Sequence, residues 1–276
     1  MGVFYYLCYN LQMLPSTKTL KIFEFAFFPK YEEDMKNLAE NFADKEPWDF
    51  SDSKENRYSI LKNYLDYYFR RIQDESKIKF TKDNGHAAFN TGLVTSNQEG
   101  IFCFFQKNMS SKSNSSPYYF KGFMRVSDAR LLSYFGSDLP ETANFFEKPE
   151  LLILNPKYKI VLDIEHIITD NKERFPLHLQ QADASEMRRQ LHGAIDDVTK
   201  KVRTNYKIAI PQYFGGKIQL LLPLCLTSGS GNPDLALVID KVIGQEIYSA
   251  KTCLTLQMAY NNARLIVKPQ SDWLKP

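Results

Sequence analysis

Gln219-Leu220-Leu221-Leu222-Pro223-Leu224-Cys225-Leu226 and Leu235-Ala236-Leu237-Val238-Ile239 are short apolar runs separated by Thr227-Ser228-Gly229-Ser230-Gly231-Asn232-Pro233. Runs of this length, bounded by a Gly/Ser/Pro turn, read as a core β-hairpin. The chain then leads into Met258-Ala259-Tyr260-Asn261-Asn262-Ala263-Arg264-Leu265, where two carboxamides and a guanidinium interrupt apolar residues. Burying such groups costs about 1–3 kcal/mol each unless they find partners. They are therefore either wired into the fold or directed at a ligand.

Upstream of this hairpin, Asp183–Tyr206 carries Met187, Leu191, Ala194, Ile195, Val198 and Val202 on one stripe, the spacing of an amphipathic helix. Arg188, Arg189, Lys200, Lys201 and Arg203 surround the stripe, with Asp196 and Asp197 among them. Lys77–Thr81, Ala87–Thr95, Ile101–Gln106 and Tyr118–Val126 are rich in aromatic and β-branched side chains and read as an antiparallel sheet, with Asn97–Gly100 as a hairpin turn. The Asn108–Ser116 loop, nearly without apolar residues, is expected to be exposed. Ser127–Tyr134 reads as a short helix and Leu151–Leu154 as a strand. Helical spacing recurs at Met35, Leu38, Ala39 and Phe42, and again at Ile60, Leu61, Tyr64, Leu65, Tyr68 and Ile72; the second helix has a basic face of Arg57, Lys62, Arg70 and Arg71. Leu20–Phe28 fits a strand or a docking segment. No internal repeat is visible in the sequence.

The fold class expected is α+β: a helical N-terminal part packed on a mainly antiparallel mixed sheet with one long helix across it. The division expected is 1–76, an aromatic segment and helical subdomain, and 77–276, an α+β core domain. Hydrophobic residues make up 43% and aromatics 14% of the 276 residues, which excludes the composition of a disordered chain. A net charge of +3 is below that of an obligate nucleic-acid binder, so such a role requires a local patch. Cys8, Cys103, Cys225 and Cys253 lack CxxC spacing and read as buried apolar residues in a reducing compartment. No apolar run reaches the length of a membrane span, and the opening segment lacks a basic n-region; the expected location is cytoplasmic.

Ala88-Phe89-Asn90-Thr91-Gly92-Leu93, Glu165-His166-Ile167 with Asp170-Asn171 and Arg174, Ala209-Ile210-Pro211-Gln212-Tyr213, Leu220–Leu226, and Ala259–Leu265 followed by Ser271-Asp272-Trp273-Leu274 occur in this order. Together they resemble a bacterial family, the domain of unknown function numbered thirty-eight twenty-five, from about residue 19 to the C-terminus. That family carries no established activity. The resemblance implies relatives joined to small RNA-binding modules, which leans the expectation toward RNA metabolism or defence by association.

The candidate site residues follow from polar groups in apolar surroundings. His166 and Asp170, with Arg174, fall four residues apart on a helix face, an arrangement for a general acid or base; the bland alternative is a helix-end network. Asn171 and Arg174 suit a phosphate or carboxylate. Gly92 within an apolar strand marks a bulge or a close approach, leaving Asn90 and Thr91 to present an amide and a hydroxyl, or to satisfy the distorted strand. Gln212 and Lys217 flank a glycine-containing turn whose aromatics, Tyr213 and Phe214, pair with a cation as in base stacking, or simply close a hairpin. Asn261 and Arg264 either contact ligand or lock the Trp273 tail to the core, and Arg203 and Arg264 are the cations expected to meet phosphate. No motif names a cofactor: GxSxG, HExxH, GxGxxG after a strand and His/Cys metal clusters are absent, and a carboxylate-bound magnesium stays open.

The function expected is a protein that binds a nucleotide or RNA in one polar cleft. The alternatives are a phosphoryl-transfer or hydrolytic enzyme using His166, and a scaffold docking a partner or a second copy through the aromatic N-terminus. Oligomeric state is not readable from the sequence.

Overall fold

The computed structural model describes residues 20–49, 57–109, 115–227, 231–269 and 272–274. In chain order its elements are α1 (Ile22–Phe25), β1 (Ala26–Phe27), α2 (Tyr31–Asn37), α3 (Ser59–Asp74), β2 (Lys79–Phe80), β3 (His86–Val94), β4 (Gly100–Lys107), β5 (Tyr118–Arg125) and α4 (Ala129–Phe135), followed by β6 (Lys159–Leu162), α5 (Ile164–Asn171), α6 (Leu177–Gln180), α7 (Ala184–Thr204), β7 (Ile210–Phe214), β8 (Lys217–Leu224), β9 (Leu235–Lys241), β10 (Ile247–Leu254) and α8 (Leu256–Arg264). The fold is α+β, with two mixed five-stranded sheets that are mainly antiparallel. The expectations for residues 1–19, for Ser51–Asn56 and for most of the Asn108–Ser116 loop lie outside the described residues. The chain forms two compact units: residues up to Asp34 with Phe69–Thr142, and Met35–Tyr68 with the residues from Ala143 onward.

Aromatic residues fill the core of the first unit. Phe25 contacts Phe69 at 5.1 Å and Phe105 at 5.3 Å between ring centroids, and stacks on Tyr118 at 4.8 Å. Phe28 stacks on Phe120 at 4.4 Å. Each such ring taken from water contributes about 1.5–3 kcal/mol. Leu20–Phe28 resolves into one helical turn and a two-residue strand, β1, paired in parallel with β5. On the other face α4, capped by Asp128, covers Phe102, Phe104 and Met124 with Leu131 and Phe135.

In the second unit α7 runs over the sheet as its periodicity requires. Its buried residues are Met187, Leu191, Ala194, Ile195, Val198 and Val202, packed against Leu220, Leu222, Leu224, Leu235, Leu237 and Ile239 of β8 and β9. Asp183 caps the helix by accepting the Glu186 N–H at 2.8 Å. β7 and β8 meet at Gly215 and Gly216, whose φ of 58° and 79° suit a two-residue hairpin turn. Pro211 is tolerated because β7 is an edge strand. Leu151–Leu154 is not a strand: Pro149 opens a 3-10 turn over Pro149–Leu151, and the strand is Lys159–Leu162, beyond Pro156.

The two sheets share one topology. Their strand orders are β1-β5-β4-β3-β2 and β6-β10-β9-β8-β7, each with an edge strand parallel to the last strand of an antiparallel meander. The last antiparallel pair of each meander also carries a bulge at the same place. Phe104 and Phe105 pair with Gly122 and Phe120, leaving Lys121 as the extra residue of a bulge in β5. Val238 and Ile239 pair with Thr252 and Ala250, leaving Lys251 as the extra residue at the same place in β10. Tyr118 and Tyr248 are then equivalent, and both are buried. The repeat that sequence inspection does not find is present in the backbone.

Candidate functional site

The second unit contains an open groove of about 930 Å³. One wall is the β6–β10 pair, contributing Val161, Leu162, Ser249 and the bulged Lys251; the others are the opening turns of α5, with Ile164, Glu165, Ile168 and Thr169, and of α7, with Ala184, Ser185 and Arg188. β6 delivers the chain directly into α5 through Asp163, whose carboxylate caps that helix by accepting the His166 N–H at 3.2 Å. Lys251 and Arg188 are exposed cations on opposite elements. Both helices begin at the groove, so their first-turn N–H groups and positive dipole ends lie along its wall. The size is that of a pocket for a nucleotide-sized molecule.

His166 and Asp170 pair with each other, Nδ1 to Oδ2 at 2.9 Å, with side chains 48% and 53% exposed. Ile164, Glu165, Ile168 and Thr169 face the groove, so His166 and Asp170 lie roughly 130–170° around α5 from that face. Arg174 does not join them. α5 ends at Asn171, and the 3-10 turn Lys172–Arg174 changes the phase, so the guanidinium swings to β10. There its Nη1 donates to the Asn171 amide oxygen at 2.5 Å and to the Cys253 carbonyl at 2.6 Å, while the Thr252 hydroxyl donates to Asn171 at 2.8 Å. Asn171, which is buried, and Arg174 thus anchor α5 to the sheet.

The other candidates separate in the same way. Thr91 is fully buried, its hydroxyl donating to the Ile101 carbonyl at 2.7 Å and accepting the Leu93 N–H at 3.2 Å. The β3–β4 register breaks between Asn90 and Val94, and Gly92 takes φ 70°, a conformation that favours glycine. Asn90 serves this bulge by accepting the Gly92 N–H at 3.0 Å and donating to the Pro140 carbonyl at 3.4 Å. Gln212, 1% exposed, donates to Gln219 at 3.0 Å and accepts from Asn262 at 3.1 Å, which ties α8 to the edge of the sheet. Lys217 lies 3.7 Å from Asp240 across neighbouring strands. Arg203 is exposed on the last turn of α7, and Asn261 has its amide oxygen buried without a hydrogen-bond partner.

Arg264, expected to meet phosphate, is instead paired with Glu46, both side chains being largely covered. Its Nε and Nη2 donate to the carboxylate at 2.8 and 2.6 Å, and the guanidinium sits 4.7 Å from the Tyr64 ring centroid and 5.1 Å from that of Trp48. Burial pulls the Arg264 pKa down, but the bonds and charge of Glu46 outweigh it, and the net shift is upward. The Trp273 tail is held differently from expectation, its indole N–H donating to the Ile208 carbonyl at 3.0 Å.

Cys103 and Cys253 are buried as expected, and burial pushes the Cys253 thiol up to about 12, with Arg174 opposing. Cys225 is exposed, because β8 ends at Leu224 just before it. No group of three or more His, Cys, Asp or Glu that could hold a metal ion occurs among the described residues, nor does a helix long and apolar enough to cross a membrane.

The groove residues Arg188 and Lys251 escaped the list of candidates drawn from sequence. Arg188 is one of several cations around α7, and a lone lysine in a strand signals nothing until the bulge is seen. Of the ordered segments that suggested a family resemblance, Ala88–Leu93 lies in β3 of the first unit and the others in the second, and the family model described as a domain of unknown function, DUF3825, matches residues 39–273. The chain belongs to the DUF3825 family. A search of curated proteins returned no match, and neither did a search of solved structures. In this DUF3825 chain the match includes the whole groove and the networks of Asn171, Gln212 and Arg264.

Proposed function

We propose that the protein binds a nucleotide or a nucleotide unit of RNA in the groove between β6–β10 and the opening turns of α5 and α7. The observation that supports this reading is the pair of exposed cations, Arg188 and Lys251, on the walls of one groove of about 930 Å³. A phosphate held by both cations gains charge-assisted bonds. Val161, Ile164 and Ile168 offer an apolar wall to a base, and Glu165 is an acceptor suited to ribose hydroxyls. Asp163 is engaged as the α5 cap.

The test is titration calorimetry of the chain and of Arg188→Ala/Lys251→Ala with ATP, UMP and ribose at two salt concentrations. Binding through two cations is screened by salt, so affinity should fall as the salt concentration rises. The double variant should lose binding and its salt dependence, and ribose alone should not bind. Equal nucleotide affinity of wild type and variant refutes the assignment.

A further inference from the structure

The shared topology gives three positions of the β6–β10 wall equivalents in the first unit. Val161 and Ser249 are register partners in β6 and β10, with Lys251 at the bulge. Their equivalents are Phe27 and Tyr119, register partners in β1 and β5, with Lys121 at the matching bulge. Here the side chains form a different surface. Phe27 is 53% exposed, its ring centroid is 5.7 Å from that of Tyr119, and Lys121 Nζ lies 5.6 Å from the Tyr119 ring centroid. The exposed Phe27 ring and the half-buried Tyr119 ring, beside the exposed Lys121, offer aromatic surface for bases and a charge for the connecting phosphate.

We infer that Phe27, Tyr119 and Lys121 form a second site in the first unit, a stacking platform for unpaired bases of single-stranded nucleic acid. The cation is kept at the equivalent bulge, whereas the aliphatic and hydroxyl positions of the groove are replaced by rings. The groove has the size for a single nucleotide, whereas the platform would take consecutive bases without regard to identity. The inference rests on the proposed nucleotide binding only for its class of ligand; its residues are separate.

The experiment follows fluorescence anisotropy of a labelled oligouridylate and of an abasic oligomer of equal length, with UMP binding measured in parallel. The proteins are the full chain, Phe27→Ala/Tyr119→Ala, Phe27→Leu/Tyr119→Leu and Arg188→Ala/Lys251→Ala. The leucine pair keeps apolar surface while removing the rings, so it substitutes if the alanine pair does not fold. Either ring variant should weaken oligouridylate binding by about 5-fold or more, leave UMP binding unchanged and leave the weaker abasic binding unchanged. Oligouridylate binding equal to wild type in a folded ring variant, or an abasic oligomer that binds as well as oligouridylate, overturns the platform. Failure of the groove shows separately, as UMP binding indifferent to Arg188 and Lys251 while the ring dependence persists.

Discussion

Replacing Arg264 by alanine should be among the most damaging substitutions in the second unit. Its side chain is 11% exposed and that of Glu46 is 5% exposed, so removing the guanidinium strands a carboxylate that water barely reaches. Two hydrogen bonds, at 2.8 and 2.6 Å, are lost, and the Trp48 and Tyr64 rings lose the cation beside them. Breaking a buried pair by removing one partner costs about 3–5 kcal/mol. Glu46→Gln should cost less, since the amide still accepts one bond from Arg264. Replacing both partners by apolar residues of similar size, Glu46→Leu/Arg264→Met, should recover all but about 1–2 kcal/mol, because no unpaired charge is left. Urea unfolding followed by tryptophan fluorescence reads these values, since Trp48 lies beside the pair. An Arg264→Ala loss below about 1 kcal/mol, or a double replacement as costly as the sum of the single ones, refutes this account of the cluster.

His166→Ala should change stability by less than about 1 kcal/mol, and should leave nucleotide affinity unchanged, because its pair with Asp170 is half-exposed and faces away from the groove; thermal melting and calorimetry check both. Gly92→Ala should cost about 1 kcal/mol or more in urea unfolding, since φ 70° penalises a Cβ. Stability should also fall at high pH. The Cys253 thiol is held up at about 12 by burial against an ordinary 9.0, so its contribution is complete below pH 9 and is lost as pH rises toward 12. The slope from this group is about 1.4 kcal/mol per pH unit, and denaturant midpoints compared between neutral and alkaline pH should show it shrinking in Cys253→Ala.

Much of the architecture was legible because it follows from burial pattern. The α7 stripe has the period of one packed helix face, whereas the β8–β9 hairpin and the central strands of the β3–β5 meander read as short apolar runs buried on both faces. β6 was missed although Ile160-Val161-Leu162 is apolar, because a four-residue run is too short to separate a strand from other structure; pairing with β10 defines it. The passage of the chain between units inside α2 and α3 has no local signature, since a helix reads alike wherever its halves are buried. The repeat was hidden because a sheet demands burial and register but not identity: β5 and β10 share Tyr118/Tyr248 and the bulged Lys121/Lys251, and little else in register.

Site reading from sequence picked out polar residues in apolar segments, and that criterion finds structural networks as readily as ligand sites. Thr91, Asn171, Gln212 and Arg264 have internal partners, the outcome expected when burial without a bond is expensive. The groove cations have the opposite signature. Arg188 and Lys251 are ordinary exposed residues until α7 and the β10 bulge bring them to one cavity.

Hydrogen–deuterium exchange of the full chain with and without a saturating nucleotide tests the central claim most directly. Amides in the opening turns of α5 and α7 and around Lys251 should gain protection, and in Arg188→Ala/Lys251→Ala that gain should vanish. Protection confined to other elements, or no change at these turns while nucleotide is bound, contradicts the account.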